Sequence, residues 1–144
     1  MSWDAYKGSL DGYFVAEIKK RGEKGPSQLS HVGIFGLADG NPWMSTNKPW
    51  SVPASASEIR TIVSSFTQAQ NPLGATGIKL GPMKFMYLRN DDSTIYGKKK
   101  GVGSLCIYKS KTALLVVIAK EGAQAGDLNN ATIKLGDYLT NTGM

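Results

Sequence analysis

Between Ile78 and Ala119 the sequence divides its apolar residues into five short runs and leaves almost no chain between them. Residues 78–80, 85–89, 94–96, 104–109 and 112–119 are rich in β-branched and aromatic side chains, the composition of strands with at least one buried face. Their connectors are Gly81-Pro82, Asn90-Asp91-Asp92, residues 97–103 and Lys109-Ser110-Lys111. A parallel crossover needs about a dozen residues or more, so links this short join antiparallel neighbours only.

The flanking segments read as helices and one further strand. Ser2 is placed to cap a helix that carries Trp3, Tyr6, Leu10, Tyr13 and Phe14 on one stripe. Residues 19–27, with Lys19, Lys20, Arg21 and Lys24, read as a solvated basic loop. A strand over 32–37 and a turn at Asp39-Gly40-Asn41-Pro42 follow, with Trp43-Met44-Ser45 opening a return strand. Ser55 and Glu58 have capping-box spacing and start a second helix with Ile59, Ile62, Val63 and Phe66 inward. The last helix, 127–141, brings Leu128, Ala131, Leu135, Tyr138 and Leu139 within about 100° of arc, and Gly143 is its C-terminal cap. This order of elements predicts a single α+β domain, residues 1–144, on one antiparallel sheet.

Catalytic chemistry is poorly supplied. His31 is the single histidine and Cys106 the single cysteine, too few for a Cys/His zinc site or an internal disulfide. The glycine-rich stretch at 97–104 matches neither nucleotide-loop pattern. The expectation is a protein without catalytic residues, metal or cofactor. Residues 1–14 lack a cationic region followed by an apolar run, and the longest apolar run, 113–119, is far shorter than the ~20 residues of a spanning helix. A cytoplasmic, monomeric protein is expected. With 17 Lys+Arg against 11 Asp+Glu, its formal charge of +6 favours acidic partners.

The aromatic residues cluster toward the chain ends. Trp3 and Tyr6 lie one turn apart near the start, and Tyr138 lies near the end. Terminal helices lying side by side would gather these rings into one patch. Such patches recognise polyproline II segments, which arrive already ordered.

In these features the sequence resembles the profilins. The resemblance runs over nearly the whole chain, through Ser2-Trp3-Asp4-Ala5-Tyr6, Asp39-Gly40-Asn41-Pro42-Trp43, Gly77-Ile78-Lys79-Leu80-Gly81, Tyr96-Gly97-Lys98-Lys99, Lys120-Glu121-Gly122 and Leu135-Gly136-Asp137-Tyr138-Leu139. It implies a central antiparallel sheet with the N- and C-terminal helices on one face and a further helix on the other. It also implies a cytoskeletal protein that binds monomeric actin, regulates its nucleotide exchange and polymerisation, and binds proline-rich proteins. The proline-binding groove would comprise Trp3, Tyr6, Trp43, Tyr138 and Leu139, with Met144 at its rim. The actin face would comprise Lys84, Leu88, Arg89, Lys98, Lys99, Gly126, Asn129 and Asn130.

Some positions depart from the family pattern. The basic loop over 19–30 is long, Trp50 is an extra tryptophan, Lys134 stands where many relatives carry an acid, and Gln124 where a His is common. The rival reading is a basic surface module for phosphoinositides or other anionic lipid, served by Lys19, Lys20, Arg21 and Lys24 and by Lys98, Lys99 and Lys100. Nucleic acid is not an expected partner, because the strands lack the aromatic motif of an RNA-binding sheet.

Overall fold

The five strands joined by short connectors pair antiparallel, as those connectors require, and the first strand pairs antiparallel with the last. A computed structural model describes residues 3–68 and 70–144. In chain order the elements are α1 (Ala5–Lys20), β1 (Leu29–Gly36), α2 (Ala56–Ser65), α3 (Leu73–Thr76), β2 (Ile78–Leu80), β3 (Met83–Asn90), β4 (Thr94–Lys99), β5 (Gly103–Lys109), β6 (Ala113–Lys120) and α4 (Ala125–Asn141). The sheet order is β1-β6-β5-β4-β3-β2. β2 to β6 form a meander of successive hairpins, and β1 then closes the far side against β6, with Leu29 opposite Ala119 and Gly36 opposite Ala113.

The alternation along β6 explains the layering. Ala113, Leu115, Val117 and Ala119 join a core with Leu10, Phe14 and Ile18 of α1 and Leu128, Ala131, Leu135 and Leu139 of α4. Leu114, Val116 and Ile118 point the other way, into a core with Ile59 and Ile62 of α2 and Leu73 of α3. Because both faces are covered, β6 reads as one unbroken apolar run. Each fully buried Leu or Ile contributes about 1.5–3 kcal/mol relative to exposure. The terminal helices thus share one face, and α2 and α3 take the other. No helix among the described residues is long and apolar enough to cross a membrane.

Several expectations need correction. Ser2 lies outside the described residues; Asp4 is the N-cap of α1, without a side-chain cap bond. The capping box of α2 forms in full, and Glu58 Oε1 also accepts from Gly81 N at 2.9 Å, tying the helix start to the β2–β3 turn. Lys19 and Lys20 belong to α1, and β1 begins at Leu29, so the loop is shorter than the sequence suggested. Arg21 is anchored by the carboxylate of buried Asp127, and Ser27 Oγ donates to Asp11 at 2.7 Å, so this segment is not purely solvated. The four-residue α3 was not anticipated, being too short to show a period.

No return strand forms at Trp43-Met44-Ser45. Pro42 has no N–H to donate, and the chain meets the outer edge of β1 only at points. Gly36 N donates to Asn41 O at 2.9 Å, Trp43 N to Ile34 O at 2.8 Å, and Val32 N to Trp50 O at 2.8 Å. Residues 41–51 therefore form a strap over an edge that would otherwise offer unpaired backbone groups. The Trp50 ring packs half-buried against the core beneath α1 and α4.

Candidate binding faces

The packing of α1 on α4 brings the terminal aromatics together. Trp3 lies between two neighbours, its ring centroid 4.8 Å from that of Trp43 and 5.4 Å from that of Tyr6. Tyr6 in turn lies 6.4 Å from Tyr138, with all three contacts tilted, the geometry aromatic quadrupoles favour. The result is a continuous row, Trp43–Trp3–Tyr6–Tyr138, in which Tyr138 is 49% exposed. Burial is the main cause that raises the Tyr6 phenol above its ordinary pKa, with the Tyr138 phenol adding to it, so Tyr6 keeps its proton and its donor capacity at neutral pH.

Three local devices hold the row. Asp4 accepts hydrogen bonds from Ser45 N and Ser45 Oγ, fixing the strap, and with it Trp43, to the start of α1. The hydrogen bonds from the Ser45 side chain and backbone hold the Asp4 carboxyl below its ordinary range. Gly136 lets the Tyr108 ring lie directly on the α4 backbone; a Cβ there would sit 2.3 Å from the ring. Tyr108 then donates its hydroxyl to Asp137 Oδ1 at 2.8 Å, which sets the helix rotation that turns Tyr138 outward. At the end of α4, Gly143 adopts φ +89°, Gly143 N donates to Thr140 O at 3.1 Å and Met144 N to Leu139 O at 2.8 Å. These two bonds are a Schellman motif, and Gly143 is the C-terminal cap the sequence suggested.

Leu139, expected in the groove, is fully buried and supports the row from beneath rather than facing a ligand. Met144 is half-buried, packed against the same core.

A second face opens where α1 and α4 stop. These helices pack on β1, β5 and β6, and the same side of the sheet toward β4 and β3 leaves Met86 at 66% and Leu88 at 54% exposure. In β3 the pairing slips between Tyr87 and Arg89, so Leu88 is the extra residue of a bulge and Arg89 comes opposite Tyr96. The Arg89 guanidinium consequently stacks 4.0 Å above the Tyr96 ring. Leu88, Arg89 and Asn129, with Tyr96 and Ala125, line a hollow of about 210 Å³. Gly126 is next to Ala125 on the first turn of α4, and Lys98 is exposed opposite Met86.

The remaining expected actin residues do not join this group. Lys99 follows Lys98 in β4 and so points to the opposite face. Asn130 turns toward α1, its Nδ2 donating to Glu17 Oε1 at 2.8 Å. The stem of Lys84 lies over Gly77, within 2.9 Å of where a Cβ would be, at the β2–β3 edge. Lys134 likewise faces α1, its ammonium 4.9 Å from the Tyr13 ring. Exposed Met86 and the buried Tyr96 ring beneath Arg89 are residues of this face that the sequence reading missed. The uninterrupted run Phe85-Met86-Tyr87-Leu88 held the signal for Met86, because a strand with Phe85 buried must turn alternate side chains away. Cys106 lies beneath α4, where burial pushes its thiol up to about 12, far from a reactive thiolate.

The profilin family model matches residues 1–144. The chain is 31% identical to a profilin of Heliocidaris crassispina over 146 residues, covering 100% of both chains. Among solved structures it resembles Acanthamoeba castellanii profilin IB, with TM-score 0.72 and 27% identity over 94% of this chain and 98% of that one. It also shares the fold of mouse profilin IIa in complex with a double repeat from the FH1 domain of mDia1, with TM-score 0.69 and 18% identity over 100% of each chain. Sequence, family model and sheet order agree, and this chain belongs to the profilin family.

Proposed function

We propose that this protein binds monomeric actin through the open β3–β4 face, regulating nucleotide exchange and polymerisation, and binds proline-rich ligands across the terminal aromatic row. It acts as a binding protein in the cytoplasm, with no reaction of its own. The observation that carries the reading is the continuous row of Trp43, Trp3, Tyr6 and Tyr138 over the paired terminal helices.

The chemistry of that row suits its ligand. A polyproline II segment has no internal hydrogen bonds, and its prolines offer carbonyl acceptors but no N–H donors. The row supplies flat apolar rings for the pyrrolidine faces, with the hydroxyls of Tyr6 and Tyr138 and the Trp3 indole N–H as donors. Its mouse relative occurs in complex with an FH1 repeat, which supports the same use here. On the second face, Arg89 and Lys98 beside exposed Met86 and Leu88 offer charge to steer an acidic partner and apolar surface to hold it.

A lipid-only reading is weaker. In the first basic cluster Lys20 pairs with Glu17 at 2.7 Å, and Arg21 pairs with Glu23 at 2.7 Å and also with Asp127.

Tryptophan fluorescence during titration with a long oligoproline, at low and high salt, tests the groove. The expected result is a saturable change that survives high salt and disappears in a folded Trp3→Ala variant. No change in the folded wild-type protein, or normal affinity in Trp3→Ala, would overturn the assignment.

A further inference from the structure

The β5–β6 turn reaches across to the end of α4 and grips a single atom there. The main-chain oxygen of Met144 accepts from Thr112 N at 2.7 Å, from Ser110 Oγ at 2.7 Å and from Thr112 Oγ1 at 2.8 Å. Three donors thus converge on one oxygen within 2.8 Å, and the single Ser110 proton has its shorter contact there rather than at Ala113 O, 3.1 Å away. Ser110 is a buried polar residue, and its oxygen also accepts from Ala113 N at 3.2 Å, which fixes its rotamer toward Met144.

The grip acts on α4 through the Schellman motif. Met144 N closes the last turn on Leu139 O, while Met144 O is held by the turn. Met144 is therefore bonded on both sides of its Cα, its N–H to α4 and its oxygen to the β5–β6 turn. Tyr138 precedes Leu139 and is the outermost ring of the row. A helix end without such a tie frays over its last turn, and a frayed turn would let Tyr138 leave its place beside Tyr6.

We propose that Ser110 and Thr112 are positioning residues for the proline-binding groove: they touch no ligand, but by holding the Met144 main-chain oxygen they keep Tyr138 pre-ordered in the aromatic row. This rests on the groove assigned under Proposed function. Pre-ordering lowers the entropy lost on binding, so the clamp is read in affinity.

The test compares wild type with Ser110→Ala/Thr112→Val and with Thr112→Ser, well below their melting temperatures. Oligoproline affinity is measured by fluorescence, actin affinity by sedimentation, and amide hydrogen exchange over residues 138–144. Loss of two hydroxyl donors is expected to weaken oligoproline binding by about tenfold. Exchange over the last turn should rise, while actin affinity stays unchanged and Thr112→Ser, which keeps the hydroxyl, behaves as wild type. A general loss of stability would instead lower both affinities. Wild-type oligoproline affinity in the double variant would overturn the proposal. If wild type itself binds no oligoproline, the groove assignment fails separately, and with it the positioning role; unchanged exchange would then remove the clamp as well.

Discussion

Gly136→Ala and Gly12→Ala place the same extra methyl in the interiors of two helices, and they should move stability in opposite directions. On propensity alone each gains up to about 1 kcal/mol, because alanine loses less backbone entropy on entering a helix. At Gly12, on the outer face of α1, an added Cβ meets nothing within 4 Å, so that gain should appear whole. At Gly136 the Cβ would lie 2.3, 2.5 and 2.6 Å from three atoms of the Tyr108 ring. Ordinary contact needs about an ångström more, and the ring cannot swing aside freely because it is 7% exposed and its hydroxyl is bonded to Asp137. Overpacking of this kind costs roughly 1–3 kcal/mol, and displacing the tyrosine from a charged acceptor costs about 1.5–3 kcal/mol more if that bond breaks. Set against the propensity gain, a net loss of about 2 kcal/mol is expected. For a chain of this size that is a melting temperature lower by roughly 4–8 °C, against a rise of roughly 2–4 °C for Gly12→Ala. Thermal unfolding followed by circular dichroism decides it. If Gly136→Ala melts at or above wild type, the packing of Tyr108 on α4 is not as described and the rotation of Tyr138 needs another cause.

The other face yields a charge test. Leu88→Glu should weaken actin binding by about tenfold or more while leaving oligoproline affinity intact and stability within roughly 0.5 kcal/mol, since Leu88 is half exposed. Unchanged actin binding would remove the bulge from the interface. Arg89→Glu should weaken actin binding more than Lys84→Glu, because Arg89 lines the hollow and Lys84 lies over Gly77; the reverse order would move the interface to the β2–β3 edge. Asp4 gives a pH dependence. Its folded pKa is depressed, so the unfolded chain takes up the proton first, and its contribution is present above about pH 4 and lost as pH falls through the folded value. Asp4→Asn should therefore be less stable than wild type at pH 6, with the gap closing toward pH 2.5; a gap that stays constant would mean the carboxylate charge is irrelevant to the strap.

What was legible in the sequence follows from how locally it is encoded. Short connectors set the strand directions, and the Ser55–Glu58 spacing gave a capping box, because both depend on neighbouring residues. Trp3, Tyr6 and Tyr138 could be grouped because they lie near the two ends of the chain, at the outer ends of its terminal helical segments. Three features were hidden by tertiary contacts. The strap at 41–51 has strand-like residues, but Val32 N and Gly36 N donate to it and Ile34 O accepts from it at single points rather than along a ladder. Leu139 shares a stripe with Tyr138, yet one lies in the core and the other outside, a distinction set by the helix rotation at Gly136 and Tyr108. Lys99 looked equivalent to Lys98 as part of a basic run, and only strand alternation separates them.

The pairing of β1 with β6 has a kinetic consequence. The meander from β2 to β6 can zip up hairpin by hairpin as it leaves the ribosome, each strand finding its predecessor. β1 cannot, because among the described residues its strand partner is the last strand made. At synthesis rates of about 5–20 residues per second, the interval between Leu29 and Ala119 is roughly 5–18 seconds. Throughout that interval Val32 and Ile34 lack the surface they are built to cover. The strap over 41–51 follows β1 directly and can occupy one of its edges early, while the other edge waits for Ala113–Lys120. Docking of β1 is then the closing step of sheet assembly, carrying the largest loop-closure cost of any strand pairing in the sheet. Substitutions in β1 should therefore change the folding rate more than equal losses placed within the β4–β5 hairpin.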